Sequence, residues 1–195
     1  MIRMRFRHAV VTNFLVVFLG AAICQSPAKP SVSSDPFTPE EMSIYRDFLA
    51  SYNNGSKNIL NIALTTEPFQ ANDDELSGCM KSFGKNNSRS TVTHAFPKDA
   101  FPVEQARLVD PEKHAISDPG DAIRQGKSVD AAVEEGFTAG LFTFSEIVFD
   151  RSHTHAAFSY SFHCGRLCGH GATVVFELRG GKWKPSKAFC GSSIS

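Results

Sequence analysis

The residues with the most obvious chemical potential lie together between His163 and Gly171. This segment holds two cysteines, two histidines and three glycines within nine residues. Cysteine and histidine side chains can form a disulfide, bind a metal ion, or act as a nucleophile and its base. The segment therefore has three interpretations: a disulfide corner, a metal site, or a redox or nucleophilic centre.

The N-terminus favours the disulfide interpretation, because residues 1–28 have the features of a secretory signal peptide. Three arginines precede the apolar run Phe14–Ile23, and small residues follow it. The run is shorter than the about 20 residues of a membrane-spanning helix. We therefore predict a secreted or periplasmic protein with no membrane span after signal cleavage. Cys24, just after the apolar run, leaves lipid attachment as a minor alternative.

Four cysteines remain once the signal is removed: Cys79, Cys164, Cys168 and Cys190. An even number in an oxidising compartment favours two disulfides. In one pairing, Cys164 or Cys168 bonds to Cys190 and the other bonds to Cys79. In a second pairing, Cys164 and Cys168 bond to each other, and Cys79 bonds to Cys190. The sequence leaves both pairings open.

A metal site is the main alternative to a disulfide corner. Two thiolates and two imidazoles suit zinc, and the candidate ligands are His163, Cys164, Cys168 and His170. Their spacing is looser than that of established zinc motifs, and neighbouring residues of a strand point to opposite faces. A small metal- or thiol-dependent enzyme centred on Cys164, Cys168 and His170 is the alternative function. The sequence assigns no catalytic and no cofactor-binding residue.

Composition and charge limit the classes of function. The chain has 195 residues, with 20 basic and 20 acidic side chains, so it has no electrostatic footprint for nucleic acid. A hydrophobic fraction of 42%, with 17 phenylalanines, is sufficient for a packed core. We predict a flexible linker over residues 29–37 and a single domain over residues 38–195.

Two helices are predicted. Thr38, Pro39 and Glu41 form a capping box with proline at the first helical position, and apolar residues follow at helical spacing as far as Tyr52. The second helix covers residues 128–137, with Ser128 as its cap. Its apolar positions are Val129, Ala132, Val133 and Phe137.

The strands lie mainly in the C-terminal half. Alternation predicts a strand over residues 58–66 and a short one over 103–109. Four further strands are predicted over residues 141–149, 155–163, 172–179 and 182–190, with Gly180-Gly181 as a hairpin turn. The predicted fold class is α+β: an N-terminal helix and a second helix pack on a C-terminal four-stranded antiparallel β-meander.

Strand register predicts where the cysteines and histidines lie. Counting outward from Gly180-Gly181 places Cys190 opposite Gly171, so three cysteines are expected at one corner of the sheet. His155 and His163 are separated by about 26 Å along their strand, so the two cannot bind the same metal ion. We expect His153 and His155 to be solvated, and His94 and His114, in polar loop sequence, to face solvent.

Several short segments between residue 106 and the C-terminus form a recognisable set. They include Ala106–Asp110, Phe144–Phe149 and Gly181–Trp183, and the Cys-x3-Cys-Gly-x-Gly segment at Cys164–Gly171 is the most specific. In these segments the chain resembles an uncharacterised family of exported bacterial proteins with no known activity. The resemblance implies export and the β-meander. We expect an exported, disulfide-stabilised domain that is a binding or structural module of the cell envelope.

Overall fold

A computed structural model describes residues 31–53, 58–69, 83, 92–187 and 190–194 of the chain. The predicted signal peptide, Cys24 and Cys79 lie outside these residues. None of the described helices combines the length and the apolar character that a membrane span requires.

The two predicted helices are present and begin at the predicted caps. In α1 (Pro39–Tyr52), the Thr38 hydroxyl accepts a hydrogen bond from the Glu41 amide, and the Glu41 carboxylate accepts one from the Thr38 amide. A short helix that the sequence analysis did not predict, α2 (Pro119–Arg124), follows the cap Asp118. The second predicted helix is α3 (Val129–Ala139), which follows Ser128.

Helix α3 buries its small residues and leaves its larger apolar residues exposed. Ala132 and Gly136 are buried, whereas the predicted apolar positions Val129, Val133 and Phe137 are exposed. The reason is close packing against α2, because a Cβ atom on Gly136 would lie 2.6 Å from the Pro119 side chain.

The strands are more numerous than predicted. Most of the predicted ones are shorter, but the two over residues 155–165 and 168–179 are longer. In chain order they are β1 (Ser31–Val32), β2 (Leu60–Ala63), β3 (Val92–Thr93), β4 (Ala106–Val109), β5 (Leu141–Phe144), β6 (Val148–Phe149), β7 (His155–Gly165), β8 (Cys168–Arg179), β9 (Lys182–Pro185) and β10 (Ser192–Ile194). Strand β1, inside the segment expected to be a linker, pairs with β3 in a small parallel sheet.

The main sheet is mixed. Its strand order is β10–β8–β7–β5–β2–β4, with β6 paired to β7 and β9 paired to β8. Strand β2 is parallel to both β4 and β5, and the remaining pairs are antiparallel. The combination of helices with a sheet agrees with the prediction in its coarse form. The four-stranded antiparallel meander does not, because the predicted strands belong to a larger mixed sheet.

Two of the predicted strands are interrupted. The strand predicted over residues 141–149 is split into β5 and β6, because the Glu146 amide donates to the Glu67 carbonyl instead of to β7. The strand predicted over residues 182–190 ends at Pro185, and the chain rejoins β8 only at Ser192. This detour places Ser193, not Cys190, opposite Gly171.

The core lies on both faces of the sheet. On one face, α1 packs Tyr45, Phe48 and Leu49 against a layer of aromatic residues that includes Phe142, Phe144, Phe158 and Phe176. On the other face lies a smaller apolar cluster that consists of Phe69, Phe83, Ala157, Val175 and Cys190. Neighbouring residues of a strand alternate between these two faces.

Candidate functional site

The segment singled out in the sequence forms the hairpin between β7 and β8, and a disulfide closes it. Cys164 and Cys168 are bonded, with their Cα atoms 5.0 Å apart. Gly165 lies between them with a φ of 141°, and a Cβ atom there would lie 2.8 Å from the Pro119 side chain. Glycine is therefore required where the hairpin passes close to α2.

The four candidate zinc ligands do not form one set in the described structure. Both thiols are used in the disulfide. His170 pairs with Phe162 in the β7–β8 register and shares its face, whereas His163 pairs with Gly169 and is exposed on the opposite face. Zinc binding by His163, Cys164, Cys168 and His170 would therefore require reduction of the bridge.

Cys190 lies away from this hairpin. Its side chain is buried in the smaller apolar cluster beside Val175, on the face opposite Phe176. The predicted corner of three cysteines is therefore wrong, because the detour between β9 and β10 shifts Cys190 along β8. Cys190 is itself disulfide-bonded.

His170 connects the hairpin to the end of α1. Its Nε2 atom lies 2.7 Å from the Tyr52 hydroxyl oxygen, and the two rings stack with an interplanar angle of 17°. Burial, with a smaller contribution from nearby Tyr160, raises the pKa of Tyr52 to about 12. Tyr52 therefore stays protonated near neutral pH and holds His170 against the aromatic core.

A cleft of about 290 Å³ opens beside this pair, between α1 and β8. It lies where β9 has left β8 and β10 has not yet joined it. Helix α1 contributes Phe48 and Ser51, and Tyr160 of β7 also lines the cleft. The remaining lining residues are Ala172, Thr173, Val174, Val175, Phe176, Pro185, Ser186 and Lys187.

Tyr160 brings a phenol hydroxyl to this cleft. Its ring stacks on Phe142 with centroids 5.3 Å apart and contacts Phe48 at 5.0 Å. Its hydroxyl makes no hydrogen bond to any residue in the described part of the chain. Burial raises the pKa of Tyr160, so the hydroxyl remains a hydrogen-bond donor near neutral pH.

The cleft is not predicted from the sequence. The available signal was Tyr160 itself, a hydroxyl between Phe158 and Phe162 on the buried face of one strand. A tyrosine at such a position often places its hydroxyl at a boundary between core and water.

A second polar cluster lies at the other end of α1. His94 Nδ1 lies 2.8 Å from Glu146 Oε2, and Thr66 donates to the other Glu146 oxygen. The His94 side chain is 18% exposed and that of Glu146 is 5% exposed. The expectation that His94 faces solvent is therefore wrong, because the partner that buries it is distant in sequence. Phe37 covers the His94 ring at a centroid distance of 5.1 Å.

The remaining histidines have structural partners. His155 Nδ1 lies 3.0 Å from the buried Asp150 carboxylate, and His153 Nε2 lies 2.8 Å from Glu40. His114 Nε2 lies 2.8 Å from the carbonyl oxygen of Ala139. The solvated state expected for these residues is only partly correct, since each also joins two elements. Among the described residues, no group of three or more metal-ligating side chains occurs.

Comparisons with known proteins found no relative. No protein-family model matches the chain, and neither a curated protein nor a solved structure is significantly similar to it.

Proposed function

We propose that this chain is an exported, disulfide-stabilised module that binds a small, largely apolar molecule in the cleft between α1 and β8. The observation that carries the proposal is the Tyr160 hydroxyl, which lines the cleft and makes no hydrogen bond to a residue that the structure describes. Ligand sites are typically concave, mostly apolar, and contain a few polar groups that orient the ligand.

The size of the cleft supports a small ligand. A closed apolar cavity of about 150 Å³ is known to accept benzene, so a cleft of about 290 Å³ has room for a molecule of about two fused rings. Most of its lining residues lie on α1 and on the paired strands β7 and β8, so we expect little rearrangement on binding.

Export and the disulfides form the second part of the proposal. The arginines and the apolar run at the N-terminus support a signal peptide, and disulfides persist in oxidising compartments. Because Cys24 is removed with the signal, we propose Cys79 as the partner of Cys190. We place the mature protein in the periplasm or outside the cell.

Indole tests the cleft, since it is a neutral bicyclic probe. Titrated at millimolar concentration into the purified exported protein, it should shift the amide resonances of Tyr160, Ala172 and Val174 in a saturable way. Ala172→Phe should fill the cleft and abolish those shifts, whereas Ala131→Phe on the exposed side of α3 should leave them unchanged. Shifts confined to other residues, or none, would overturn the proposal for the cleft.

A thiol count with elemental analysis tests the covalent part of the proposal. The unfolded exported protein should contain no reactive thiol, and the native protein no stoichiometric metal. Stoichiometric zinc together with four reactive thiols would instead support the alternative, a metal- or thiol-dependent enzyme centred on Cys164, Cys168 and His170. Retention of the uncleaved chain in the cytoplasmic fraction would overturn the proposal of export.

A further inference from the structure

The cleft between α1 and β8 contains one cationic group. Lys187 lines it together with Tyr160, and none of the described lining residues is acidic. No ion pair joins Lys187 to any residue that the structure describes. A cation that is not neutralised at the edge of an apolar cavity attracts anions and disfavours cationic ligands.

We infer that the ligand of this cleft is a small aromatic or aliphatic carboxylate, with its apolar body between Phe48, Tyr160 and Phe176 and its anionic group toward Lys187. The inference rests on the proposed function, because it specifies what the same cleft binds. It names one chemistry, an apolar body of up to about two rings with one negative charge.

The Tyr160 hydroxyl adds a second group that can recognise a carboxylate. Because burial raises its pKa, the phenol is protonated at neutral pH and can donate to an anionic oxygen. Hydrogen bonds in which one partner is ionised are stronger than neutral ones. A donor and a cation in one apolar cleft therefore favour a carboxylate over a neutral ligand of equal shape.

A cationic ligand is the competing possibility. Phe48, Tyr160 and Phe176 are among the residues that line the cleft, and aromatic faces attract cations. Lys187 opposes such a ligand by like-charge repulsion. The affinities of ligands that share one apolar body and differ only in charge show which of these two effects is larger.

The experiment is isothermal titration calorimetry of the purified exported protein with indole-3-acetate, indole-3-acetamide and tryptamine. The three share an indole ring and carry a negative, a neutral and a positive side chain. At low salt we expect the acetate to bind about fivefold more tightly than the acetamide, and tryptamine to bind most weakly. High salt should reduce the preference for the acetate.

Variants distinguish the contribution of Lys187 from that of Tyr160. Lys187→Gln should reduce the preference for the acetate to less than about twofold, while Lys187→Arg should keep it. Lys184→Gln is the matched control, because Lys184 is an exposed lysine of β9 outside the cleft lining and should change nothing. Tyr160→Phe should weaken acetate binding about fivefold and leave indole binding largely intact.

The outcomes distinguish this inference from the proposed function. If indole, the acetate and the acetamide bind equally, the cleft is a ligand site and the inference of an anionic ligand is wrong. If tryptamine binds most tightly, the inference is also wrong, because aromatic attraction of a cation prevails. If the preference for the acetate survives Lys187→Gln, the assignment to Lys187 fails. If no indole compound binds, the proposed function itself fails.

Discussion

Trp183 donates its indole N–H to the carboxylate of Glu40 over 2.7 Å, although 143 positions separate the two residues. The other carboxylate oxygen lies 2.8 Å from His153 Nε2. Burial alone would raise the pKa of Glu40, but the hydrogen bonds from His153 and Trp183 outweigh it and lower the pKa. Glu40 therefore joins the start of α1 to β9 and to the turn before β7.

Glu40→Gln should destabilise the protein by about 1 kcal/mol, because the charged acceptor is lost. The expected loss is small, since 36% of the Glu40 side chain is exposed and solvent screens its charge. Urea unfolding at neutral pH measures it. Glu134→Gln, at an exposed site on α3, is the control. A double-mutant cycle that combines Glu40→Gln with Trp183→Phe should show a coupling energy between the two residues. Additive losses would contradict the contact.

The Asp150 carboxyl makes the stability of the fold depend on pH in the acidic range. Burial would raise the pKa of this carboxyl, but hydrogen bonds from the His155 side chain, the Thr154 and His155 amides and Ser152 lower it well below its ordinary value. A carboxyl whose pKa is lower in the folded state stabilises the fold above its ordinary pKa. That contribution is fully present at neutral pH and is lost as the pH falls below about 4.

We therefore expect the free energy of unfolding to fall between about pH 4 and pH 2, and Asp150→Asn to flatten that decline. At pH 7 the variant should be less stable by about 2 kcal/mol, because the neutral amide is a weaker acceptor at a buried site. Urea unfolding across the pH range measures both effects, with Asp47→Asn on the exposed face of α1 as control. Parallel pH profiles for variant and wild type would refute the assignment.

The cluster at Glu146 gives a third prediction. Glu146→Ala should cost about 2–4 kcal/mol, because Thr66 and His94 would each lose a carboxylate contact in a nearly buried position. Glu146→Gln keeps one acceptor oxygen and should cost less. Thermal unfolding followed by circular dichroism compares them with Glu67→Ala, an exposed site on the neighbouring segment. Equal melting temperatures for Glu146→Ala and the control would show that the cluster contributes little.

The two disulfides should differ in their contribution to stability. The Cys164–Cys168 bridge closes a loop of a few residues, and its removal as a double serine variant should cost about 2 kcal/mol in the chain-entropy picture. The proposed Cys79–Cys190 bridge would close a loop of more than about 100 residues, and the corresponding loss is about 5 kcal/mol.

Peptide mapping under non-reducing conditions identifies the pairs, and unfolding of the two double variants measures the losses. A peptide that joins Cys190 to Cys164 or Cys168 would contradict both the described bridge and the proposed pairing.

Local sequence signals predicted the helices well. Thr38 and Ser128 each cap a helix through contacts within three residues, so the information needed lies next to the helix start. The turn at Gly180-Gly181 is likewise local, and both glycines have positive φ, as a two-residue type I′ turn requires. The coarse prediction of helices with a sheet rests on such signals.

The features that the sequence did not predict depend on distant partners. The parallel placement of β2 depends on β4 and β5, and the partner of His94 lies 52 positions away. The position of Cys190 depends on a detour after Pro185 that register counting cannot detect, because counting assumes an unbroken strand. The cleft follows from the same detour. Strand periodicity alone therefore cannot predict the cleft.

The parallel pair of β2 and β5 has a consequence for how fast the chain folds. Strands β7 and β8 are neighbours in sequence and can pair early, whereas Ile62 must find Phe142 from 80 positions upstream. Closing a long loop costs entropy before any contact compensates for it, so pairings of this kind slow folding. Until β2 arrives, one edge of β5 has open backbone groups, which can pair with another chain. We expect refolding yield to fall with protein concentration for this reason.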